Sequence, residues 1–349
     1  MDSESKLARI AAVDIGTMST RLMVVDVIAG QDGAISTIRE IYRDLRITQL
    51  GLGMTVNGQL SSKGIASVLE ALEEYLQLLE HFQVDDTLCV ATSAIRDAKN
   101  AEKLLDGAAR RGIDVVVIPG EVEAQLAFLG ATAGASDGIA SAESATNAGS
   151  RGHKGGKGRE DKPTLVVDSG GGSTEFALGR LGHTGRAEIL ALDSMQIGSR
   201  RLTDMFIDSD PPRSVEVKGI RSYLQKVCSF DLKKYVGQFD RIVAVAGTAT
   251  TLAAVLGKIE PYSPEEIQGY KVTREDLEEL LQLFVSRKLA SRQKIIGLEP
   301  KRAGVIVAGT LILEAVLDAL ECEEFFVSDR DLLYGIILSA IAAAPMFSD

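Results

Sequence analysis

Cysteine is scarce in this chain. Cys89, Cys228 and Cys322 are odd in number, far apart and without a CxxC spacing, which excludes a disulfide framework or a cysteine-held zinc and fits a reducing cytoplasm. Positive charge is short as well. The 38 Lys and Arg stand against 49 Asp and Glu, a net charge of −11. That balance argues against general nucleic-acid binding, while leaving room for a polyanion held by a few placed cations and a metal. The N-terminal MDSESKLARI has neither the basic nor the apolar region of a signal peptide. The most apolar stretch, Leu332 to Phe347, is too short for a membrane span and reads as a buried helix. With 45% apolar and 25% charged residues over 349 positions, the chain reads as a soluble protein too long for one core, hence two domains.

What is present is organised around Thr164 to Leu178, TLVVDSGGGSTEFAL. A valine-rich strand stops on Asp168; Ser169, Gly170, Gly171, Gly172, Ser173 and Thr174 follow, then Glu175 and a second apolar run. Glycines let main-chain N–H groups close on a phosphate oxygen, and Ser173 and Thr174 add hydroxyl donors. Asp168 and Glu175 are hard oxygen ligands of the kind Mg²⁺ takes alongside substrate phosphates. A Gly/Ser run also marks an ordinary hairpin turn, and both readings stand on this stretch alone.

Ile10 to Ile28 repeats the theme: a strand ending on Asp14, then Gly16, Thr17 and Ser19, then RLMVVDV. A Rossmann or Walker loop would open into a helix, whereas this one opens into a strand. Two such hairpins about 150 residues apart suggest related halves facing one cleft, into which Arg21 could point. Between them lie a helix from Ser61, a strand over 87–91 opening a helix to about Arg111, and a strand over 114–118. The second of these helices starts near Arg96, which can meet phosphate at a helix N-terminus or simply face solvent. Glu121 and Glu123 open the next helix; acids there suit the helix dipole, and either carboxylate facing a cleft could take a proton from an attacking water. Residues 134–163 are small, polar and aperiodic and read as a flexible insertion; His153 within it has no partners for a metal. Further on come helices over 220–230 and 273–289, a strand at 241–246 running into Gly247-Thr248-Ala249-Thr250, a long helix from Arg302 to Leu320, a strand at 325–328 and a closing helix from Asp331.

Asp14-Ile-Gly-Thr, ATSAIRDA at 91–98, GEVEA at 120–124, DSGGGSTE at 168–175, AGTATTLAA at 246–254, RAGVIVAG at 302–309 and VSDRDLLYGI at 327–336 resemble, in order, the motifs of the exopolyphosphatase and guanosine-pentaphosphate phosphatase family. The resemblance covers nearly the whole chain apart from 134–163. It implies an α/β, actin-like, ribonuclease H-like fold. Its parts would be a first domain over 8–133, with the helix at about 330–349 packed on it, and a second over 164–329, with the active site in the cleft between. It also implies Mg²⁺-dependent hydrolysis of a terminal phosphoanhydride, with polyphosphate or guanosine pentaphosphate as substrate and a possible homodimer. On that carry-over Glu123 matches the catalytic base. Asp14, Asp168 and Glu175 match metal-side carboxylates, Arg96 a phosphate-binding arginine, and Gly16, Thr17, Ser19, Gly171, Gly172, Ser173 and Thr174 the two phosphate loops. A loose phosphoryl transition state needs this equipment: charge neutralised on its equatorial oxygens and water held in line.

The chain departs from the family pattern at three places. Met18 stands where asparagine is usual, removing a phosphate contact; Gly304 replaces a frequent acid and Asp331 a frequent glycine, both read as structural. The chain ends soon after the two-domain core, where longer members carry a helical region associated with gripping long chains, so short polyphosphate or a nucleotide is expected. Two other functions fit the same loops. A kinase or ATPase of this fold class would release phosphate from ATP but not polyphosphate, and a non-catalytic sensor would bind the phosphorylated nucleotide without turnover.

Overall fold

The computed structural model describes residues 5–29, 35–133, 163–181 and 187–343, so almost all of the 134–163 stretch lies outside the described residues. The first half runs β1 (Ser5–Ile15), β2 (Thr20–Ala29), β3 (Ile35–Arg46), α1 (Met54–Asn57), α2 (Ser62–His81), β4 (Asp86–Ala91), α3 (Ser93–Asp97), α4 (Glu102–Ala109), β5 (Val115–Val117) and α5 (Gly120–Thr132). The second runs β6 (Thr164–Ser169), β7 (Thr174–Leu181), β8 (Ala187–Met195), α6 (Ser199–Phe206), α7 (Ser214–Asp231), β9 (Arg241–Val245), α8 (Ala246–Gly257), α9 (Pro264–Ile267), β10 (Lys271–Thr273), α10 (Arg274–Val285), α11 (Leu289–Arg292), α12 (Ile306–Leu320), β11 (Glu324–Val327) and α13 (Leu332–Ala343).

The strands form two mixed sheets, ordered β3-β2-β1-β4-β5 and β10-β11-β9-β6-β7-β8. In the first, β1, β2 and β3 are an antiparallel meander and β4 and β5 continue it in parallel. The second repeats the plan, with β6, β7 and β8 antiparallel and β9 parallel to β6. This is the α/β, actin-like class that the motifs imply, built twice. Among the described residues no helix is long and apolar enough to cross a membrane.

Strand periodicity explains how the sheets aim their polar ends. On β1 the odd positions Ala11, Val13 and Ile15 pack with Val68, Leu72 and Leu104 of α2 and α4. The even positions Ile10 and Ala12 pack with Leu332, Leu333, Ile336 and Ile337 of α13. Asp14, also even, therefore leaves the sheet on the α13 side. On β6, Leu165 and Val167 enter the large core under α7, α8 and α12, whereas Val166 packs on Ala124, Ala127, Phe128 and Ala131 of α5. Asp168 shares the face of Val166. Helix α5 is thus apolar on more than one side, touching the second sheet with its alanine face and α13 with Leu126, and its first turn comes to lie between the two aspartates.

Local reading went astray in three helices. The expected run from Thr92 to Arg111 breaks at Ala98, which is extended. There the Lys99 N–H donates to the Gly58 carbonyl (2.9 Å), and the Asn100 amide bonds both the N–H and the carbonyl of Leu60 at 2.8 and 3.0 Å. The expected helix from Arg302 begins only at Ile306, leaving Arg302 in the preceding turn. The helix opened by Thr273 has its capping box with Asp276 but ends at Val285.

Candidate active site

Both hairpin turns are closed by the same hydrogen bond: the Gly16 N–H donates to the Ser19 carbonyl at 2.9 Å, and the Gly170 N–H to that of Ser173 at 3.1 Å. Asp14 stands opposite Arg21 across the first hairpin, and Asp168 opposite Glu175 across the second. The tips touch. A Cβ on Gly172 would lie 2.5 Å from Ser93 Oγ and 2.6 Å from Thr17 Oγ1, and one on Gly171 2.6 Å from Met18. These glycines are required by the approach of one loop to the other, as well as by access to the backbone.

Between the tips is a cavity of about 70 Å³ whose wall includes Asp14, Gly16, Thr17, Met18, Ser19, Glu123, Asp168, Gly171, Gly172 and Ser173. It brings together most of the residues singled out in the sequence. Three of them stand off it. Glu175 is fully buried behind the loop, accepting a hydrogen bond from Ser194 Oγ (2.8 Å). Thr174 Oγ1 is spent on the Ile197 carbonyl at 2.5 Å. Arg96 turns away from the cavity, donating to the Ile118 carbonyl (2.9 Å) and to Glu123 Oε2 (3.1 Å). It sits at the end of the short α3, where the Ala98 break leaves it free to reach the first turn of α5.

Glu123 is 6% exposed. Burial pushes its carboxyl up to about 7, partly offset by the Arg96 charge and hydrogen bond. Glu121, two residues earlier, is exposed. Burial also raises Asp168, helped by the neighbouring charges of Glu123 and Asp331, and raises Glu175, helped by Glu123 and Asp168. Asp14 is raised by burial in spite of Arg21, whose guanidinium it holds at 2.7 Å through Oδ2. Buried carboxylates with raised pKa values in one cleft are the electrostatic pattern of an acid–base site.

Several groups at the site escaped the sequence reading. Asp331, read as structural, pairs with Arg21 beside Asp14. Ser93, Ser199 and Arg302 join the cavity wall, as do Gly247 and Thr248 of the small-residue turn, whose sequence suits either a phosphate at the helix N-terminus or close helix–strand packing. Arg302 has no carboxylate within ion-pair distance among the described residues, and burial together with the Arg21 charge pushes it down to about 10. A Cβ on Gly247 would fall 1.7 Å from its Nη1, so the small residues of the β9–α8 turn make room for a guanidinium. The signal in the sequence was the motif RAGVIVAG itself, with an arginine just before an apolar helix. Past Arg21 and Arg302 the cleft widens into a cavity of about 540 Å³, lined also by Arg43, Tyr262 and Lys294.

Among the described residues no three His, Cys, Asp or Glu side chains stand close enough to hold an ion between them. The donors that face the cavity nevertheless suit a hard cation. Asp14 Oδ1 is buried without a hydrogen-bond partner among the described residues, and Asp168 also lines the cavity, its charge opposed by its surroundings. Two such carboxylates plus substrate oxygens and water form the usual Mg²⁺ shell.

Fold and site together define a two-sheet α/β protein in which paired small-residue loops meet around a small cavity walled by a buried carboxylate. The comparisons with known proteins agree. The model of the Ppx/GppA phosphatase family matches residues 23–140 and 150–344, and the chain belongs to that family. Exopolyphosphatase 2 of Mycobacterium tuberculosis is 33% identical over 344 residues, covering 95% of this chain and 98% of the relative. Among solved structures, the Aquifex aeolicus member of the Ppx/GppA family is 33% identical at a TM-score of 0.70, covering 96% of this chain and 98% of that one. An exopolyphosphatase from Cytophaga hutchinsonii is 25% identical at a TM-score of 0.79, covering 97% and 100%.

Proposed function

We propose that this chain hydrolyses the terminal phosphoanhydride of inorganic polyphosphate, of guanosine pentaphosphate, or of both, with Mg²⁺. The observation that carries the reading is Glu123: a buried carboxylate with a pKa near 7 on the wall of a cavity formed by two glycine-rich turns. The names of the relatives point the same way.

The terminal phosphoryl group lies between the hairpin tips, where the N–H groups of Gly171 and Gly172 and the hydroxyls of Thr17, Ser19 and Ser173 surround its oxygens. Glu123 accepts a proton from a water whose oxygen attacks phosphorus in line. The bond from phosphorus to the bridging oxygen breaks, and the electron pair stays on the shortened chain. Arg96 fixes the carboxylate of Glu123 and keeps enough of it ionised to act as a base. Arg21, held by Asp14 and Asp331, and Arg302, which has no such partner among the described residues, offer positive charge where the leaving phosphates pass into the wide cavity. Asp14 and Asp168 would hold Mg²⁺, which when bound neutralises charge on the phosphate oxygens.

The test is orthophosphate release with Mg²⁺ from short and long polyphosphate, guanosine pentaphosphate and ATP. Glu123→Gln is expected to lower kcat at least ~10²-fold, the lower end of general-base help. An unimpaired variant removes Glu123 from the mechanism, and release from ATP alone reassigns the substrate.

A further inference from the structure

Among the described residues seven buried side-chain atoms have no hydrogen-bond partner. Four are the Nε atoms of Arg43, Arg200, Arg274 and Arg292, and each of these guanidinium groups is bonded through another nitrogen. The remaining three, Asp14 Oδ1, Ser93 Oγ and Ser169 Oγ, all belong to residues that line the small cavity between the hairpin tips. Asp14 is an acceptor and suits the cation described above. The two hydroxyls have protons to give.

The serines come from opposite halves of the chain and are 2% and 1% exposed. Ser93 opens α3, and its hydroxyl, with that of Thr17, occupies the room left by the missing Cβ of Gly172. Ser169 ends β6, where strand alternation sets it with Leu165 and Val167, on the face away from Asp168. A buried hydroxyl without a partner is destabilising, whereas an alanine at either place would leave nothing unsatisfied. The hydroxyls therefore answer to something that enters the cavity. Water there can take both protons between visits, and whatever displaces it must present an acceptor to each. A tetrahedral oxyanion, with oxygens pointing in several directions, does so.

We propose that Ser93 and Ser169 are further phosphoryl-binding residues, donating from the two halves of the molecule to oxygens of the terminal phosphoryl group. The inference rests on the hydrolase reading given above for the source of that group. Hydroxyls that cost stability in the empty protein then add affinity in the loaded one, which is the exchange expected of a binding residue rather than a structural one.

The experiment measures orthophosphate binding with Mg²⁺ by calorimetry, together with the thermal unfolding midpoint of the phosphate-free protein. Ser93→Ala and Ser169→Ala are each expected to weaken orthophosphate at least ~tenfold, the contribution of one hydrogen bond to a charged group. The phosphate-free midpoint should equal that of the wild type or rise. A hydroxyl that only supports the fold would instead lower the midpoint, and that result overturns the proposal. Variants that bind orthophosphate as tightly as the wild type overturn it too, as does a wild type that takes up none. Loss in one variant alone strikes the other serine from the site. Turnover separates this inference from the one beneath it: a wild-type protein whose orthophosphate binding depends on both serines, but which forms no phosphate from polyphosphate or guanosine pentaphosphate, refutes the hydrolase reading and leaves the two binding residues in place.

Discussion

The basicity of Glu123 is a balance: the burial of the carboxyl and the nearby charge of Asp14 raise it, and the guanidinium of Arg96 holds it down. As a base it works only when ionised, so kcat/KM is expected to fall with unit slope as pH drops below about 7. Arg96 favours the ionised form. Arg96→Met should therefore move that acid limb to higher pH and lower activity most near neutrality, with the alkaline plateau less affected; a pH–rate profile separates this from a general loss of structure. Arg96 also marks where sequence reasoning stops at this scale. Its motif placed it at the site, but its partner is chosen by the break at Ala98, and that break depends on Leu60, 38 residues upstream of the kink.

At the scale of elements, the crossing of α5 and α13 sets the cleft. A Cβ on Gly335 would lie 1.9 Å from the Leu126 carbonyl oxygen, and one on Gly130 1.9 Å from that of Asp331. The helices thus meet backbone to backbone, and the contact fixes the distance between Glu123 at the head of one and Asp331 at the head of the other. Gly335→Ala is expected to cost ~1–3 kcal/mol of stability, read as a lowered midpoint in thermal or denaturant unfolding, with activity falling alongside as α5 shifts. The hairpins and most strands were legible because apolar strands ending on an aspartate and a small-residue turn repeat along the chain. The helix boundaries at 98, 285 and 306 were not, since propensity carries no record of which distant carbonyl a backbone N–H will find.

For the molecule as a whole, the clustered carboxylates are a standing electrostatic cost. Glu123, Asp168 and Glu175 all titrate above their ordinary range when folded, so in the folded chain they hold protons that the unfolded chain has already released. Their contribution to stability is greatest at low pH and is lost as pH rises above the ordinary carboxylate range, for Glu123 through about 7. The melting temperature without metal is accordingly expected to drop between pH 6 and pH 8, less so in Glu123→Gln. Added Mg²⁺ should raise it more at pH 8 than at pH 6. Differential scanning fluorimetry at the two pH values measures both effects, and a midpoint indifferent to Mg²⁺ at pH 8 would remove the cation from the site.

The matched hairpins carry one more implication. Their turns superpose in hydrogen bonding, yet the residue facing the aspartate is Arg21 in the first and Glu175 in the second. Two identical jaws would give a ligand made of repeating units no head or tail. Here one jaw presents a cation to the cleft while the other withdraws its carboxylate against Ser194. Polarity in an otherwise duplicated frame thus begins at a single register position.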